Sequence, residues 1–468
     1  MYSTRRTILA ALAAVGGTAL GKPAFAATTE SVEGWPYAKR DPANTNHAPD
    51  VTGPQENIAM ESIISVSDTP SDGIIVADGT VSVGSAESVA AYSLGDWTEQ
   101  WRWSARDPPA GEPIAYANQL LFVLAEGEGQ VARFIETDTV EQRLQARVGR
   151  DATITPVGED VYVSGAKGLV SLDRSGTGQW QQSFEQASVG TAVQDGTVFV
   201  TTQNEVVALS RAEGEVQWRE SVSALEAPVV ANGRVYVAGE TLAAFDSTDG
   251  TQLWRSVELP SATTAPAATA ETVYVGAGED GTEHTFFALD AETGELEWQA
   301  KLGSTAVPTA SPATTRPAVT AETVYVGGNR TMHGIDTESG EILWRESVDG
   351  AVGSPVPVGG QLLFTTDAGK VLTITETESG EKTDQQSSGQ SSEDGQANQT
   401  DDDTETGDDG DVDEEDAEDS DDGSGPGFGL STGLTALGGV GYLLRRRLRS
   451  GREEPSRKLR EEMDQREE

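Results

Sequence analysis

The stretch TAETVYVG at residues 269–276 returns letter for letter at residues 320–327. Each copy is followed by a near-copy of a second phrase, LDAETGELEW ending at Trp298 and IDTESGEILW ending at Trp344. Self-similarity of this kind indicates a repeat architecture in which every repeat is one supersecondary unit. The two phrases together therefore define a unit that can be followed along the rest of the chain.

Eight such units can be aligned on the tryptophan of the second phrase. The spacing Asp-x3-Gly-x3-Trp is kept in three units and, with Ser in place of Asp, in a fourth. The other units diverge more. Leu144 occupies the tryptophan site of an earlier unit, and the last unit keeps Gly380 but has no tryptophan. We expect each tryptophan to fill the core between repeats and to contribute about 3 kcal/mol. These residues are Trp101, Trp180, Trp218, Trp254, Trp298 and Trp344.

Each unit has the same internal order of patterns. An apolar pair, a turn, an alternating VYV run, a second turn and a phrase such as ALD precede the segment that carries the tryptophan. The runs have the period of two and the β-branched composition of strands, and TETG, STDG and TESG supply the glycine of tight hairpin turns. Four strands in each of eight units predict an all-β, eight-bladed β-propeller of antiparallel blades. A pair of β-sandwiches or a β-solenoid is the alternative.

The last unit lacks material for its fourth strand, because polar residues follow Gly380. The phrase ENIAMESIISV near residue 60 reads as a strand but belongs to no unit. We expect residues 56–66 to supply the missing outer strand of the last blade. An N-terminal strand would then close the ring and join the two ends of the domain.

The repeat phrase VYVGxxxGxxxALDAxTGxxxW resembles that of the PQQ-like (quinoprotein-type) eight-bladed propellers. The segment GWPYAKRDPANTNHAPDVTGP is similar to the opening of the halophilic archaeal members, and the resemblance covers roughly residues 34–383. This family contains pyrroloquinoline-quinone alcohol and sugar dehydrogenases as well as non-enzymatic scaffolds, such as the lipoprotein that assists outer-membrane barrel assembly. The resemblance implies the fold and leaves the activity open between these two classes.

The dehydrogenases of this family stack their quinone on a disulfide of adjacent cysteines and coordinate Ca²⁺ beside a catalytic aspartate. The chain contains no cysteine, so this disulfide cannot form. No residue matches the Ca²⁺ ligands or the catalytic aspartate. Four aspartates recur at strand ends, which favours a structural role in turns: Asp173, Asp246, Asp290 and Asp336.

The three histidines lie far apart in the sequence. We assign His47 to the N-terminal lead, His284 to a hairpin and His333 to a strand, and no pair of them has the spacing of metal ligands. The sequence therefore predicts no catalytic residue, no cofactor and no metal site.

The formal net charge of −45 is unevenly distributed. Residues 384–425 carry 18 acids and no base. Subtracting this segment, the +3 of residues 1–26 and the +2 of residues 426–468 leaves −32 on residues 27–383. Such a surface is typical of proteins that work in molar salt, where charges are screened over ~3 Å. It excludes nucleic acid as a partner.

The N-terminal segment has the pattern of an export signal. Arg5 and Arg6 precede an apolar run, and a small-x-small site ends at Ala26. We predict a twin-arginine signal peptide over residues 1–26, with an uncleaved anchor as the alternative. Residues 27–55 then form the lead and residues 56–383 the propeller. Residues 384–425 are predicted to be a disordered acidic stalk, with loose Ca²⁺ chelation as the alternative.

The C-terminal segment has the pattern of a membrane anchor. An uncharged apolar run followed by an arginine cluster predicts a transmembrane segment over residues 426–448, with a charged cytoplasmic tail over residues 449–468. With Pro426, Gly427 and Phe428, this segment resembles the PGF-CTERM signal of archaeal surface proteins, although such signals stop soon after the basic cluster. Asn329 and Asn398 are N-glycosylation acceptors by sequence.

These observations predict a non-enzymatic propeller at the cell surface, anchored to the membrane through its C-terminal segment. Its expected partner is an unidentified protein or envelope component, and envelope assembly is the process in which we expect it to act. A pyrroloquinoline-quinone-dependent alcohol or sugar dehydrogenase is one alternative. An extracellular solute-binding propeller that uses its central funnel is the other.

Overall fold

The structure, a computed structural model, describes residues 34–377 with gaps at 66–72, 86, 105–111, 118, 126–129, 150–151, 167, 257–258, 260–263, 278–282, 305–314 and 329. The predictions for the signal, the stalk, the anchor and the tail fall outside these residues. The same holds for both glycosylation acceptors. The residues concerned are Arg5, Arg6, Ala26, Asn329, Asn398, Pro426, Gly427 and Phe428.

The described residues form 32 strands in eight four-stranded antiparallel sheets, which confirms the eight-bladed propeller. Blade one consists of β2 (Ile74–Ala77), β3 (Thr80–Gly84), β4 (Ser88–Ser93) and β5 (Glu99–Ser104). Blade two consists of β6 (Glu112–Ala117), β7 (Leu120–Ala125), β8 (Gln130–Glu136) and β9 (Glu141–Gly149). Blade three consists of β10 (Thr153–Val157), β11 (Asp160–Gly165), β12 (Gly168–Asp173) and β13 (Gly178–Gln182). Blade four consists of β14 (Ser188–Gln194), β15 (Thr197–Thr202), β16 (Glu205–Ser210) and β17 (Val216–Ser221).

The remaining blades follow in the same order along the chain. Blade five consists of β18 (Val229–Ala231), β19 (Arg234–Ala238), β20 (Leu242–Asp246) and β21 (Gln252–Arg255). Blade six consists of β22 (Ala267–Ala268), β23 (Thr272–Ala277), β24 (Glu283–Asp290) and β25 (Leu296–Ser304). Blade seven is β26 (Ala318–Val319), β27 (Thr323–Gly327), β28 (Thr331–Asp336) and β29 (Ile342–Ser347). Blade eight is β30 (Val356–Val358), β31 (Gln361–Thr366), β32 (Lys370–Glu376) and β1 (Ile58–Ser65).

The N-terminal strand β1 completes blade eight. It pairs antiparallel with β32, from Ile58 opposite Glu376 to Ser65 opposite Lys370. Ile64 of this strand is buried, and Met60 packs against the core between blades seven and eight. The expected closure of the ring by residues 56–66 is therefore confirmed.

The hydrophobic core consists of eight clusters, one between each pair of neighbouring blades. Each cluster is built from the alternate residues of the facing sheets, as the period of two predicts. The cluster between blades eight and one joins Ile74 and Val83 to Val356 and Leu363. The interface at which the ring closes is therefore packed with apolar side chains from both blades.

The glycine and tryptophan of one unit serve two different blade interfaces. Gly294 has φ +73, and a Cβ at this position would lie 2.6 Å from the ring of Trp254 in the preceding blade. The indole Nε1 of Trp254 donates a hydrogen bond to the carbonyl of Ala291, 3.1 Å away, in the same turn as Gly294. The same contact recurs at the neighbouring interfaces, with Trp218 under Gly250 and Trp298 under Gly340. The glycine of each unit thus contacts the tryptophan of the preceding blade and not the tryptophan of its own blade.

Four of the six predicted blade tryptophans are buried, namely Trp218, Trp254, Trp298 and Trp344. Trp101 and Trp180, in the more divergent units, are partly exposed. In seven blades the outer strand also carries a β-bulge immediately before the tryptophan, or before Leu144 in blade two. A bulge re-aims the side chains beside it.

Candidate functional site: the axial channel and the rim

The lead makes a circuit of the propeller axis. It bridges blade one through Trp35 and Val76, blade two through Tyr37 and Ala115, and blade seven through His47 and Val319. Its contacts with the innermost strands follow the order of the blades. The lead therefore lies across one end of the central channel, the end at which each innermost strand enters its hairpin turn.

One equivalent position in the innermost strands holds the lead. This position is the second residue before the hairpin turn, and in six blades its backbone N–H donates to a carbonyl of the lead over 2.7–3.0 Å. Backbone donors of an innermost strand have no further strand to pair with, so the lead satisfies groups that would otherwise face the channel. The donors are Val76, Tyr116, Val193, Val230, Ala268 and Val319, and the acceptors are Trp35, Pro36, Pro42, Ala43, Thr45 and Asn46.

The two remaining blades carry proline at this position and have no N–H to donate. In blade three the carbonyl of Pro156 instead accepts a hydrogen bond from the Tyr37 hydroxyl at 3.1 Å. In blade eight, whose residue is Pro357, the N–H of Gly360 donates to Thr52 at 3.2 Å. All eight blades are thus tied to the lead by a hydrogen bond.

Two buried asparagines fix the middle of the lead. Asn44 Nδ2 donates to the carbonyls of Thr191 and Pro228, each at 2.8 Å, and so bridges blades four and five. Asn46 Nδ2 donates to the carbonyl of Pro266 in blade six at 3.1 Å. Both residues have left-handed backbones, with φ of 62° and 52°, which asparagine tolerates better than most residues. Their side chains replace the backbone pairs that an extended segment would make.

The lead also carries buried charged and phenolic groups. Asp41 accepts hydrogen bonds from the Thr45 backbone and hydroxyl; burial raises the pKa of this carboxyl, and Thr45 opposes the shift. Burial, reinforced by Asp41, raises the pKa of Tyr37 to about 12. Burial lowers the pKa of Lys39 to about 8, an effect that Glu226 opposes and Arg316 reinforces. The lead therefore brings ionisable groups to the axis.

The end of the lead replaces a missing turn. In blade eight the third and fourth strands come from opposite ends of the domain, so no hairpin turn is available to accept a hydrogen bond from the preceding tryptophan. The carbonyl of Pro54 occupies this place and accepts from Trp344 Nε1 at 2.9 Å and from the Tyr325 hydroxyl at 3.3 Å. The Pro54 carbonyl thus keeps the tryptophan contact at the interface between blades seven and eight, which we call the seam of the ring.

The rim differs between the two halves of the ring. The exposed large apolar side chains of the described residues are Val216, Leu253, Leu296 and Leu343, one on the outer strand of each of blades four to seven. All four lie within two residues before the blade tryptophan, at the bulge. The equivalent positions of blades one to three are Glu99, Gln100, Gln142, Arg143, Gly178 and Gln179. We call the four apolar side chains the rim band.

The recurring aspartates organise the turns before the outer strands. Asp290 Oδ1 accepts hydrogen bonds from the N–H of Glu292 and from the N–H and hydroxyl of Thr293, and these bonds, led by that of the hydroxyl, lower the pKa of Asp290. Asp336 does the same with Ser339, and Asp173 with Ser175. Asp246 accepts from the N–H of Thr248.

The three histidines lie in separate places. His47 is in the lead, and His333 is fully buried in β28 of blade seven. His284 is the second residue of β24, in the hairpin that β24 forms with β23. In the described part of the chain, no group of three or more His, Cys, Asp or Glu residues is arranged to hold a metal ion. Nor does that part contain a helix long and apolar enough to cross a membrane.

Sequence reasoning missed the role of the lead residues Asn44, Asn46 and Pro54. A signal was present, since an Asn-x-Asn pair between prolines is unusual in a segment that must otherwise be extended. Their partners are up to 290 residues away, however, and no local period points to them.

The fold and these contacts define an eight-bladed propeller of tryptophan-docked blades with an N-terminal segment across its axis. A family model described as outer membrane protein assembly factor BamB matches residues 165–311 and 285–402, which together span just over half of the chain. The chain therefore belongs to this family of repeat propellers.

Individual relatives are distant. The chain is 27% identical over 218 residues to outer membrane protein assembly factor BamB of Yersinia pestis, a match that covers 40% of this chain and 54% of that protein. The crystal structure of BamB from Moraxella catarrhalis is similar with a TM-score of 0.55 and 18% identity, over 68% of this chain and 100% of that one. A europium-containing methanol dehydrogenase is similar with a TM-score of 0.59 and 11% identity, over 74% and 98%. At these identities the structural likenesses show the fold.

Proposed function

We propose that this chain is a non-enzymatic scaffold that binds another protein of the cell envelope through its rim band. Membership of the BamB family supports a role as an assembly factor. The observation that carries the proposal is the rim band itself, because four consecutive blades expose a large apolar side chain where three others expose polar ones. Apolar side chains gathered on one side of a surface mark interaction sites more often than single ones do.

The surroundings of the rim band indicate the chemistry of the partner. Exposed carboxylates flank the apolar side chains: Glu297 lies in β25, and Glu215, Glu295 and Glu341 each come immediately before an outer strand. A complementary surface would place apolar side chains opposite the band and basic side chains around them. We therefore propose a protein partner with an apolar strip flanked by Lys or Arg.

Site-specific photocrosslinking in intact cells tests the rim band. A photoreactive residue in place of Leu253 or Leu296 should form a discrete adduct with one partner. Gln100, which is exposed at the equivalent bulge position of blade one, provides a matched control that should form none. Equal crosslinking from Gln100 and Leu253 would show that the band is not the interface.

The enzymatic alternative has its own test. The protein purified and reconstituted with pyrroloquinoline quinone and Ca²⁺ should show no dye-linked oxidation of alcohols or sugars above a protein-free blank. Sustained turnover would replace the scaffold proposal with the dehydrogenase alternative, whatever the crosslinking result.

We further propose that the propeller is exported and held at the cell surface. The twin-arginine pattern, the acidic segment and the apolar C-terminal run support this location. Replacing Arg5 and Arg6 with lysine keeps the charge and removes the guanidinium pair, so the precursor should accumulate inside the cell. Normal export of the lysine variant would contradict the twin-arginine route.

A further inference from the structure

A cavity of about 290 Å³ lies at the seam of the ring, between the outer strands of blades seven and eight. Met60 and Leu372 of blade eight give it an apolar wall. Ser62 of β1 and Ser347 of β29 line it from the two outer strands. Ligand sites usually enclose roughly 300–1,000 Å³, so this cavity suits one long side chain better than a large cofactor. We call it the seam cavity.

The seam cavity lies where the other blades carry a long polar residue. The position after the blade tryptophan, or after Leu144 in blade two, is arginine or glutamine in seven blades. Its equivalent in blade eight is found by following the ladders outward from Val319 and Pro357, which hold the same position in their innermost strands. The ladders lead to Arg345 in blade seven and to Ser62 in blade eight. The seven long residues are Arg102, Arg219, Arg255 and Arg345, and Gln145, Gln181 and Gln299.

Arg345 shows where a side chain at this position goes. Its Nη2 donates a hydrogen bond over 3.5 Å to the carbonyl of Lys301, on the outer strand of blade six. A Cβ on Gly303 of the same strand would lie 3.7 Å from the Nη1 of Arg345. The guanidinium therefore crosses the interface and lies against the outer strand of the preceding blade.

The seam cavity keeps the receiving side of this contact. Counted from the blade tryptophan, Ser347 of blade seven is the counterpart of Lys301. Asp349 is likewise the counterpart of Gly303, and both Ser347 and Asp349 line the cavity. Because Ser62 ends at its hydroxyl, the space that a guanidinium fills between blades six and seven stays open at the seam, with a carboxylate beside it.

Asp349 is the charged group of the seam cavity that can receive a cation. Its Oδ1 accepts a hydrogen bond from Arg330 Nη2 at 3.1 Å, but both side chains are mostly exposed and such pairs are weak. Its Oδ2 accepts no hydrogen bond from the residues that the structure describes, and a carboxylate has room for further donors. Lys370 and Glu61 also line the cavity, and their opposite charges offset each other.

We propose that the seam cavity binds an arginine side chain of the protein that contacts the rim band; the source of this arginine rests on the proposed function. The apolar stem of the arginine lies on Met60 and Leu372, and its guanidinium donates to the Asp349 carboxylate and the Ser347 carbonyl. Leu343 of the rim band and Ser347 lie on the same strand, about 13 Å apart, so one partner can occupy both.

Ligand-observed NMR on the purified full-length protein tests the seam cavity. The probe is N-acetyl-arginine amide, and its control is N-acetyl-norleucine amide, whose side chain has an apolar stem and no donor. Saturation-transfer signals should show saturable binding of the arginine probe alone. Ser62→Arg fills the cavity from within and should abolish this binding. Ser104→Arg adds the same charge to the outer strand of blade one and should leave the binding unchanged.

Two further measurements extend this test. Asp349→Asn should weaken binding of the arginine probe about threefold or more, because it removes the charge that the guanidinium meets. In intact cells, the adduct formed from a photoreactive residue at Leu296 should fall about fivefold or more in the Ser62→Arg background. The same adduct should be unchanged in the Ser104→Arg background.

The outcomes separate the seam cavity from the rim band. Saturable arginine binding that is lost in Ser62→Arg, together with the reduced adduct, establishes the proposal. Absence of saturable binding to the parent overturns it, and so does binding that Ser62→Arg retains or that the norleucine probe matches. An undiminished Leu296 adduct in Ser62→Arg overturns the assignment of the arginine to this partner and leaves the rim band intact.

Two remaining outcomes also decide the question. If the parent forms no adduct at Leu296, the rim-band proposal fails, and the NMR titration alone decides whether the seam cavity binds arginine. If Ser62→Arg fails to fold, Asp349→Asn replaces it in both measurements, and unchanged arginine binding and adduct yield in that variant overturn the proposal.

Discussion

The lead and strand β1 are consecutive segments that close the same ring in opposite ways. Strand β1 lies at the rim and pairs with one strand through a continuous ladder. The lead lies at the axis and touches all eight blades through individual hydrogen bonds, two of its side chains being buried asparagines. The closing strand thus completes one blade, whereas the lead connects every blade to every other.

This difference sets what each segment contributes to stability. Apolar burial and ladder pairing are roughly proportional to the length of β1. The contribution of the lead depends on whether a few polar groups keep their partners, because a buried carbonyl without a donor is costly. The following predictions separate the two kinds of closure, starting with the largest expected effect.

Replacement of Ile58–Ser65 with a Gly/Ser segment of equal length should lower the free energy of unfolding most. It removes the burial of Ile64 and the packing of Ile58, Met60 and Ile63, and it leaves β32 as an unpaired edge. We expect a loss of at least ~5 kcal/mol, measured by denaturant unfolding at fixed salt. Deletion of residues 384–425, a segment too polar to pack, should leave the midpoint unchanged. A replacement variant that unfolds like the parent would show that β1 is dispensable.

Asn44→Ala should be the most damaging single substitution in the lead. It leaves the carbonyls of Thr191 and Pro228 without their donor and puts alanine at φ 62°, so we expect a loss of ~3 kcal/mol. Asn44→Gly relieves the backbone cost only and should recover about 1 kcal/mol. The control is Asn232→Ala: Asn232 has φ 47° and donates to the carbonyl of Ala270, but it is exposed. Equal losses at Asn44 and Asn232 would argue against a special role of the lead.

Acid should weaken the blades independently of either N-terminal segment. His333 is fully buried in blade seven, and burial lowers its pKa to about 4. Because the folded pKa lies below the unfolded one, this stability is complete above pH ~6.5 and is lost as the pH falls towards the folded value, with ~2 kcal/mol gone at pH 5. Unfolding curves at pH 7 and pH 5 should show a smaller difference for His333→Leu. The Asn44→Ala loss should be the same at both pH values, and a pH-dependent loss would indicate that the two regions are coupled.

Trp344→Phe should have the smallest effect and compares the seam with an ordinary interface. The indole of Trp344 donates to Pro54 of the lead, and that of Trp254 donates to Ala291 of the next blade. Each phenylalanine variant should lose ~1 kcal/mol, because each removes the indole donor and leaves the carbonyl with only the longer hydrogen bond from a tyrosine hydroxyl. Thermal unfolding of the two variants side by side measures this. A loss of stability for Trp344→Phe well below that for Trp254→Phe would show that the hydrogen bond to Pro54 contributes less than the hydrogen bond to a hairpin turn.

Much of the architecture could be predicted because it follows from short-range periodic patterns in the sequence. The alternating runs around Tyr274 and Tyr325 identify the second strands, and the interval from Gly294 to Trp298 identifies the turn and the outer strand. The absence of a tryptophan after Gly380 even indicated that a strand was missing from the last blade. The rim band was not predicted, because the bulge that exposes Leu253 depends on the pairing of two strands and has no period of its own.

The sequence by itself determined the number of blades, the four strands of each and the origin of the closing strand. These follow from short-range patterns, in which a residue and its neighbours two to four positions away specify a strand or a turn. Only the tertiary structure decided that the lead crosses the axis and that Asn44 joins blades four and five. Their partners converge only when eight innermost strands surround one axis, and that convergence is a property of the closed ring.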